Sequence, residues 1–163
     1  MTQLADLAQR VSAILKERGE TVAITETSAG GLISAALLAV PGASAYFMGG
    51  AVVYTHTARE SMLEIDLDDH PGVRSASEPY ALLTASTIRG RLSTTWGLSE
   101  TGAAGPTGNS YGDSAGHTCI AVAGPSTEHA ETLETGLTDR VTNMDLFAEK
   151  ALEVFEGILL DAR

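Results

Sequence analysis

The chain has 163 residues, 44% of them apolar, enough for one globular domain with a sizeable core. Its 21 acidic and 10 basic side chains give a formal net charge of -11, which excludes a generic electrostatic nucleic-acid binder and argues against docking on anionic membranes. No apolar run approaches the roughly 20 residues of a membrane span, the amino terminus lacks the pattern of a signal peptide, and the lone Cys119 excludes an internal disulfide framework or a multi-cysteine zinc site, so a cytoplasmic domain is expected.

Leu4, Leu7, Val11 and Leu15 recur at steps of three and four, one face of an amphipathic helix over about 3–18 that Gly19 stops. Thr21-Val22-Ala23-Ile24-Thr25 is short and β-branched and reads as a buried strand. It runs into the small-residue stretch from Glu26 to Gly31, and then into Leu32–Leu38, apolar nearly all round and read as a buried helix. Pro41-Gly42 ends that helix, a second strand is expected near 46–55, and a short helix around 57–63 precedes an acidic loop over 64–76. Ser77-Glu78-Pro79 has the form of a helix start, an N-cap serine with proline in the first turn, and that helix should run to about Leu92. Gly97–Thr101 reads as a third strand leading into a loop that continues to Ala115. His117–Ala123 and Glu128–Glu134 follow as strands, and Asp139 caps a last helix over about 140–160. With no linker or repeat, residues 1–163 are expected to form one α/β domain, a three-layer α/β/α sandwich around a mostly parallel mixed sheet.

Open α/β sheets bind ligands at the carboxyl ends of strands. Two small-residue loops leave strands here, 26–31 and 101–109. Such loops let a ligand approach the backbone, and a helix start behind one offers N–H groups to a phosphate or carboxylate. The plain alternative is a tight strand-to-helix turn, and neither loop matches the P-loop or the dinucleotide fingerprint. The histidines His70, His117 and His129 lack paired metal-binding spacing, and Asp66, Asp68 and Asp69 lack the glycine and terminal glutamate of a calcium loop. Neither a metal nor a cofactor is expected. Cys119, alternating with apolar neighbours, is expected to be buried and inert.

Taken in order, the motifs resemble those of the CinA C-terminal domain family, whose stand-alone members include nicotinamide mononucleotide deamidases. The family's E-S-C-T-G-G corresponds to Glu26-Thr27-Ser28-Ala29-Gly30-Gly31, and its P-G-S-S-A to Pro41-Gly42-Ala43-Ser44-Ala45. Its G-x-V-x-Y-[ST]-N-x-x-K corresponds to the stretch from Gly50 to Arg59, and its V-S-E helix start to Ala76-Ser77-Glu78. Its T-G-I-A-G-P-x-G corresponds to the stretch from Thr101 to Gly108, its K-P-V-G to Asp113-Ser114-Ala115-Gly116, and its G-[DN]-R to Thr138-Asp139-Arg140. The resemblance implies metal-independent hydrolysis of a carboxamide on a pyridine mononucleotide-like small molecule, and a homo-oligomer, with a dimer favoured.

The family's serine, tyrosine and lysine fall by spacing on Ser44, Tyr54 and Arg59. The implied pocket is lined by Glu26, Ser28, Ala29, Gly30 and Gly31 of the first loop, by Thr101, Gly102 and Gly105 of the second, and by Arg140. Arginine is no ordinary general base, so a serine–lysine pair cannot form in the family's way. The only lysines, Lys16 and Lys150, lie on the terminal helices, away from every motif. Three readings follow. Deamidation persists with another base, either His56, which in a strand shares a face with Tyr54, or Tyr54 itself beside the Arg59 cation. The pocket hydrolyses a related molecule. Or the chain binds a nucleotide or small molecule without chemistry, Arg59 acting as an anion clamp.

Overall fold

The computed structural model describes residues 2–162. The elements in chain order are α1 (Gln3–Arg18), β1 (Val22–Glu26), α2 (Leu32–Leu38), β2 (Phe47–Val52), α3 (His56–Leu63), α4 (Glu78–Leu92), β3 (Trp96–Ala103), β4 (His117–Ala123), β5 (Glu128–Glu134) and α5 (Arg140–Asp161). Local chemistry sets most helix ends. Thr2, Thr55, Ser77 and Asp139 each accept a backbone N–H at the start of α1, α3, α4 and α5. Gly19 closes α1 at a φ of 64°, the left-handed conformation that glycine adopts without strain.

The strands lie in the order β2-β1-β3-β4-β5. β1 pairs parallel with β2 and β3, while β4 pairs antiparallel with β3 and β5, so β4 alone runs against the other four. Helices α1, α2 and α5 cover one face around Leu15, Ile33, Phe147 and Phe155. α3 and α4 cover the other, with Leu63 and Ile88 against Val53 and Ala23, and Ala81 and Ala85 against Cys119 and Ala121. The molecule is thus the expected three-layer sandwich with a mostly parallel sheet. Gly97 is required where α4 crosses β3, because a Cβ there would lie 2.1 Å from the Ala85 carbonyl oxygen.

Two details depart from the sequence reading. β2 stops at Val52, and His56 opens α3 instead of extending the strand, because Thr55 caps that helix. Lys16 is not remote from the motifs. Its Nζ donates to the Pro41 carbonyl across 3.4 Å, beside the turn that carries Ser44.

Candidate functional site

The parallel strands β1 and β2 end together, and a cleft of about 240 Å3 opens at their carboxyl ends. Thr27 enters it from the end of β1, Tyr54 from the β2–α3 connection, and His56 and Arg59 from α3. Ser75, Ala76 and Tyr80 line it from the start of α4, Thr101 and Gly102 from β3, and Asn109 and Tyr111 from the following loop. This is where an open α/β sheet presents ligands.

Arg59 dominates the cleft electrostatically. The residue is only 5% exposed, and its guanidinium donates to Ser75 Oγ at 3.2 Å and lies 5.8 Å from the centre of the Tyr80 ring. No ion pair of Arg59 is present among the described residues, so it does not pair with Glu60 or Glu64, and its Nε is buried without a hydrogen-bond partner. A buried cation without a counter-charge is costly and calls for an anion. Burial pushes the Tyr80 hydroxyl up in pKa, against the pull of the Arg59 cation, so Tyr80 is a neutral phenol here and not a base. Tyr54 is 60% exposed at the rim, where its hydroxyl accepts from Arg140 at 3.1 Å. Arg140, the first residue of α5, also donates to the Gly105 carbonyl.

The glycine-rich turn after β1 serves the protein itself. The buried Glu26 carboxylate accepts the N–H groups of Gly31 and Ile33 at 3.0 Å and Ser34 at 2.9 Å, plus the Ser34 hydroxyl. It fills the start of α2, the place the sequence reading gives to an external anion. The buried Glu100 carboxyl accepts from the Ser28 hydroxyl and from the Ala29 and Thr27 N–H groups, while the Gly30 N–H goes to the Thr27 carbonyl. These groups are therefore spent, and binding of a negative charge falls to side chains, Arg59 first.

Of the residues expected from the sequence, the cleft brings together Tyr54, His56, Arg59, Thr101 and Gly102, with Arg140 reaching Tyr54 at its rim. It does not include Glu26, Ser28, Ala29, Gly30, Gly31 or Gly105. Ser44 is also outside it. Ser44 sits exposed in the 3-10 turn Ala43–Ala45 before β2, whereas Tyr54 follows β2. The six residues of β2 set the two about 20 Å apart at strand rise, so one protomer cannot join them. Thr27 and Asn109 line the cleft from the two loops expected to do so, whereas Ser75, Tyr80 and Tyr111 line it without being anticipated by the sequence. Thr27 had a signal: it is the hydroxyl immediately beyond a parallel strand. Its Oγ1 accepts the Gly102 N–H at 3.3 Å, tying the two loops together.

Asp113, which stands where the resemblance places a lysine, pairs with Arg74 at 2.8 Å and accepts from Asn109. The Arg74 guanidinium holds its carboxyl below the usual range, and this pair pins the loop that brings Tyr111 over the cleft. Cys119 is buried and its thiol is pushed up in pKa by burial, which makes it a poor nucleophile. Among the described residues, no group of three or more His, Cys, Asp or Glu is placed to hold a metal ion, and no helix is long and apolar enough to cross a membrane.

Comparison with known proteins agrees with this architecture. The family model of the CinA C-terminal domain matches residues 4–159. A CinA-like protein of Prochlorococcus marinus is 35% identical over 156 residues, covering 95% of this chain and 36% of that protein. A CinA-like protein of Cyanothece sp. is 40% identical over 155 residues, covering 94% of this chain and 37% of that one. The chain thus spans little more than a third of these relatives. Among solved structures, a competence-damaged protein (CinA) superfamily protein of Klebsiella pneumoniae superposes with a TM-score of 0.91 at 20% identity, covering 99% of each chain. The competence/damage inducible protein CihA of Agrobacterium tumefaciens gives 0.87 at 26% identity, covering 94% of each.

Proposed function

The chain belongs to the CinA C-terminal domain family, and on that premise we propose that the cleft around Arg59 holds a pyridine mononucleotide and hydrolyses its carboxamide. The observation that carries this reading is the buried Arg59 guanidinium, which has an unpartnered Nε and no carboxylate beside it. A phosphate or a developing carboxylate supplies the missing charge, and a guanidinium suits either as a forked donor. Tyr54 and Tyr111 on the walls offer faces to a flat ring.

The reaction is metal-free acyl transfer. A hydroxyl oxygen attacks the carboxamide carbon, the C–N bond breaks, and ammonia leaves with the hydroxyl's proton. Water then cleaves the ester, freeing the carboxylate and restoring the hydroxyl. Family spacing assigns the attack to Ser44, while the hydroxyl that the cleft itself holds at a strand end is Thr27. Arg59 cannot take the proton. That role falls to Tyr54, whose oxygen faces Arg140, or to His56 on the cleft wall.

A second reading, binding without turnover, is favoured by one observation: an arginine in a site without lysine stands where the family has its lysine. Ammonia release from nicotinamide mononucleotide by purified, metal-free protein separates the two. Turnover that Ser44→Ala or Thr27→Val removes supports the hydrolase. No turnover, with the nucleotide still raising Tm, supports the binder. Neither turnover nor a shift refutes both.

A further inference from the structure

Ala76 is buried and takes a φ of 56°, in the left-handed region that alanine occupies only under strain. It lines the cleft between Ser75, whose Oγ anchors Arg59, and Ser77, which caps α4. Two side chains hold it there. Thr101 Oγ1 accepts its N–H at 3.2 Å, and His117 Nε2 meets its carbonyl at 2.7 Å. His117 is buried at the start of β4, outside the residues that line the cleft, and the proposed reaction does not use it.

The geometry sets the protonation of this ring. Nε2 faces a carbonyl and Nδ1 faces the Glu134 carboxylate, both acceptors, and only the imidazolium carries a proton on each nitrogen. Charged and titratable groups converge on it from each neighbouring element. Glu134 comes from β5, and Asp113, 3.6 Å from Nε2, comes from the loop before β4 with Arg74 paired to it. Cys119 of β4 places Sγ 3.7 Å from Nε2, and Glu78 of α4 accepts from Thr132, which touches that sulfur. When the ring loses a proton, one acceptor loses its donor. A carboxylate holds the remaining N–H more firmly than a carbonyl does. Nε2 then turns a lone pair on the Ala76 carbonyl and pushes the strained residue from its place. Asp113 loses a neighbouring cation in the same step, and the Asp113–Arg74 pair pins the loop that carries Tyr111.

We propose that the His117 imidazolium is a positioning residue for two walls of the cleft, setting Ser75 beside Arg59 through Ala76, and Tyr111 through Asp113, so that nucleotide affinity falls as its proton leaves. The inference rests on the proposed function only in taking the cleft as the nucleotide site.

The first part of the test needs no ligand. NMR of the labelled chain follows the His117 ring and the Ser75 and Tyr111 amides as pH rises from about 5. Both amides are expected to shift with the midpoint of the ring. Nicotinamide mononucleotide, followed by calorimetry, should bind at least about fivefold more weakly above that midpoint than below it, and bound nucleotide should raise the ring's midpoint to match. Glu134→Gln removes a partly exposed carboxylate and leaves Ala76 untouched. It should move the midpoints of ring and binding together to lower pH, with the low-pH affinity of the parent. The ligand phosphate titrates alike with both proteins and cancels between them. Amides that stay fixed while the ring titrates, a ring midpoint that bound nucleotide leaves in place, or a Glu134→Gln protein that moves the ring and not the binding overturns the proposal. Amides that follow the ring in a protein that binds no nucleotide at any pH support the positioning and count against the proposed ligand.

Discussion

Ser28 donates its hydroxyl proton to the Glu100 carboxyl across 2.5 Å, beneath the loop that leaves β1. Burial raises the pKa of Glu100, while hydrogen bonds from Ser28, Ala29, Thr118 and Thr27 pull it down without offsetting burial. The folded chain therefore holds this proton more tightly than the unfolded one. Its stabilising contribution is complete below the ordinary carboxyl range and is lost as pH rises through the folded value. Glu100→Gln is expected to fold, its oxygen accepting the backbone N–H groups and its amide donating to the Ser28 and Thr118 hydroxyls. Relative to the parent it should gain stability as pH rises, read from urea midpoints. Glu100→Ala strands the Ala29 N–H and should cost about 3 kcal/mol.

His117 is expected to titrate in the opposite functional sense to a catalytic base. Nε2 faces the Ala76 carbonyl at 2.7 Å, Nδ1 faces Glu134, and Asp113 lies 3.6 Å away. Burial works against its charge, but Glu134, Ala76 and Asp113 outweigh burial and raise its pKa. The imidazolium therefore stabilises the fold fully below the unfolded histidine range, and that contribution is lost as pH rises through the folded value. Tm of the parent should fall relative to His117→Gln as pH rises above about 6.5. A constant difference between the two across that range would refute the charged assignment.

Much of the fold is legible in the sequence, for physical reasons visible in particular residues. Ser77 and Asp139 cap their helices with side-chain oxygens, which is why those two helix starts read correctly to within a residue. The fully buried strand β4 and the half-exposed β5 are equally plain from their apolar patterning. The end of the sheet at which each motif lies is not legible. Ser44 and Tyr54 are ten positions apart, which in a helix would be about 15 Å and in a strand more than twice that. Spacing alone cannot say that a whole strand separates them. Nor can the glycine turn reveal that Glu26 occupies the start of α2, because a carboxylate in that place reads the same whether it turns inward or toward a ligand.

The seat of α4 on the sheet gives a third expectation. A Cβ on Gly97 would meet backbone, the Ala85 carbonyl oxygen at 2.1 Å, with no flexible side chain to yield. Gly97→Ala should cost about 3 kcal/mol by overpacking. Gly90 lies within α4 itself, and a Cβ added there would meet nothing within 4 Å. Gly90→Ala should instead be neutral or gain up to about 1 kcal/mol of helix propensity. Equal effects at the two sites, read from denaturant midpoints, would contradict the packing of α4 on β3.

Arg59 offers the sharpest separation of chemistry from binding. Its guanidinium is anchored by Ser75 and lies over Tyr80, so its position is set before any ligand arrives. Arg59→Met keeps the buried stem and removes the charge. Nicotinamide mononucleotide affinity should then drop at least about tenfold, the weight of one charge-assisted hydrogen bond, while Tm of the free protein holds or rises because an uncompensated buried cation has gone. Arg59→Lys tests the reaction. A lysine there restores the family's residue, and burial against Tyr80 without a carboxylate partner favours its neutral, proton-accepting form. Ammonia release should increase over the parent even if affinity falls with the loss of the fork. If Arg59→Lys only weakens binding and adds no turnover, the arginine is a clamp in a site whose chemistry is set elsewhere, and the binding reading replaces the hydrolase.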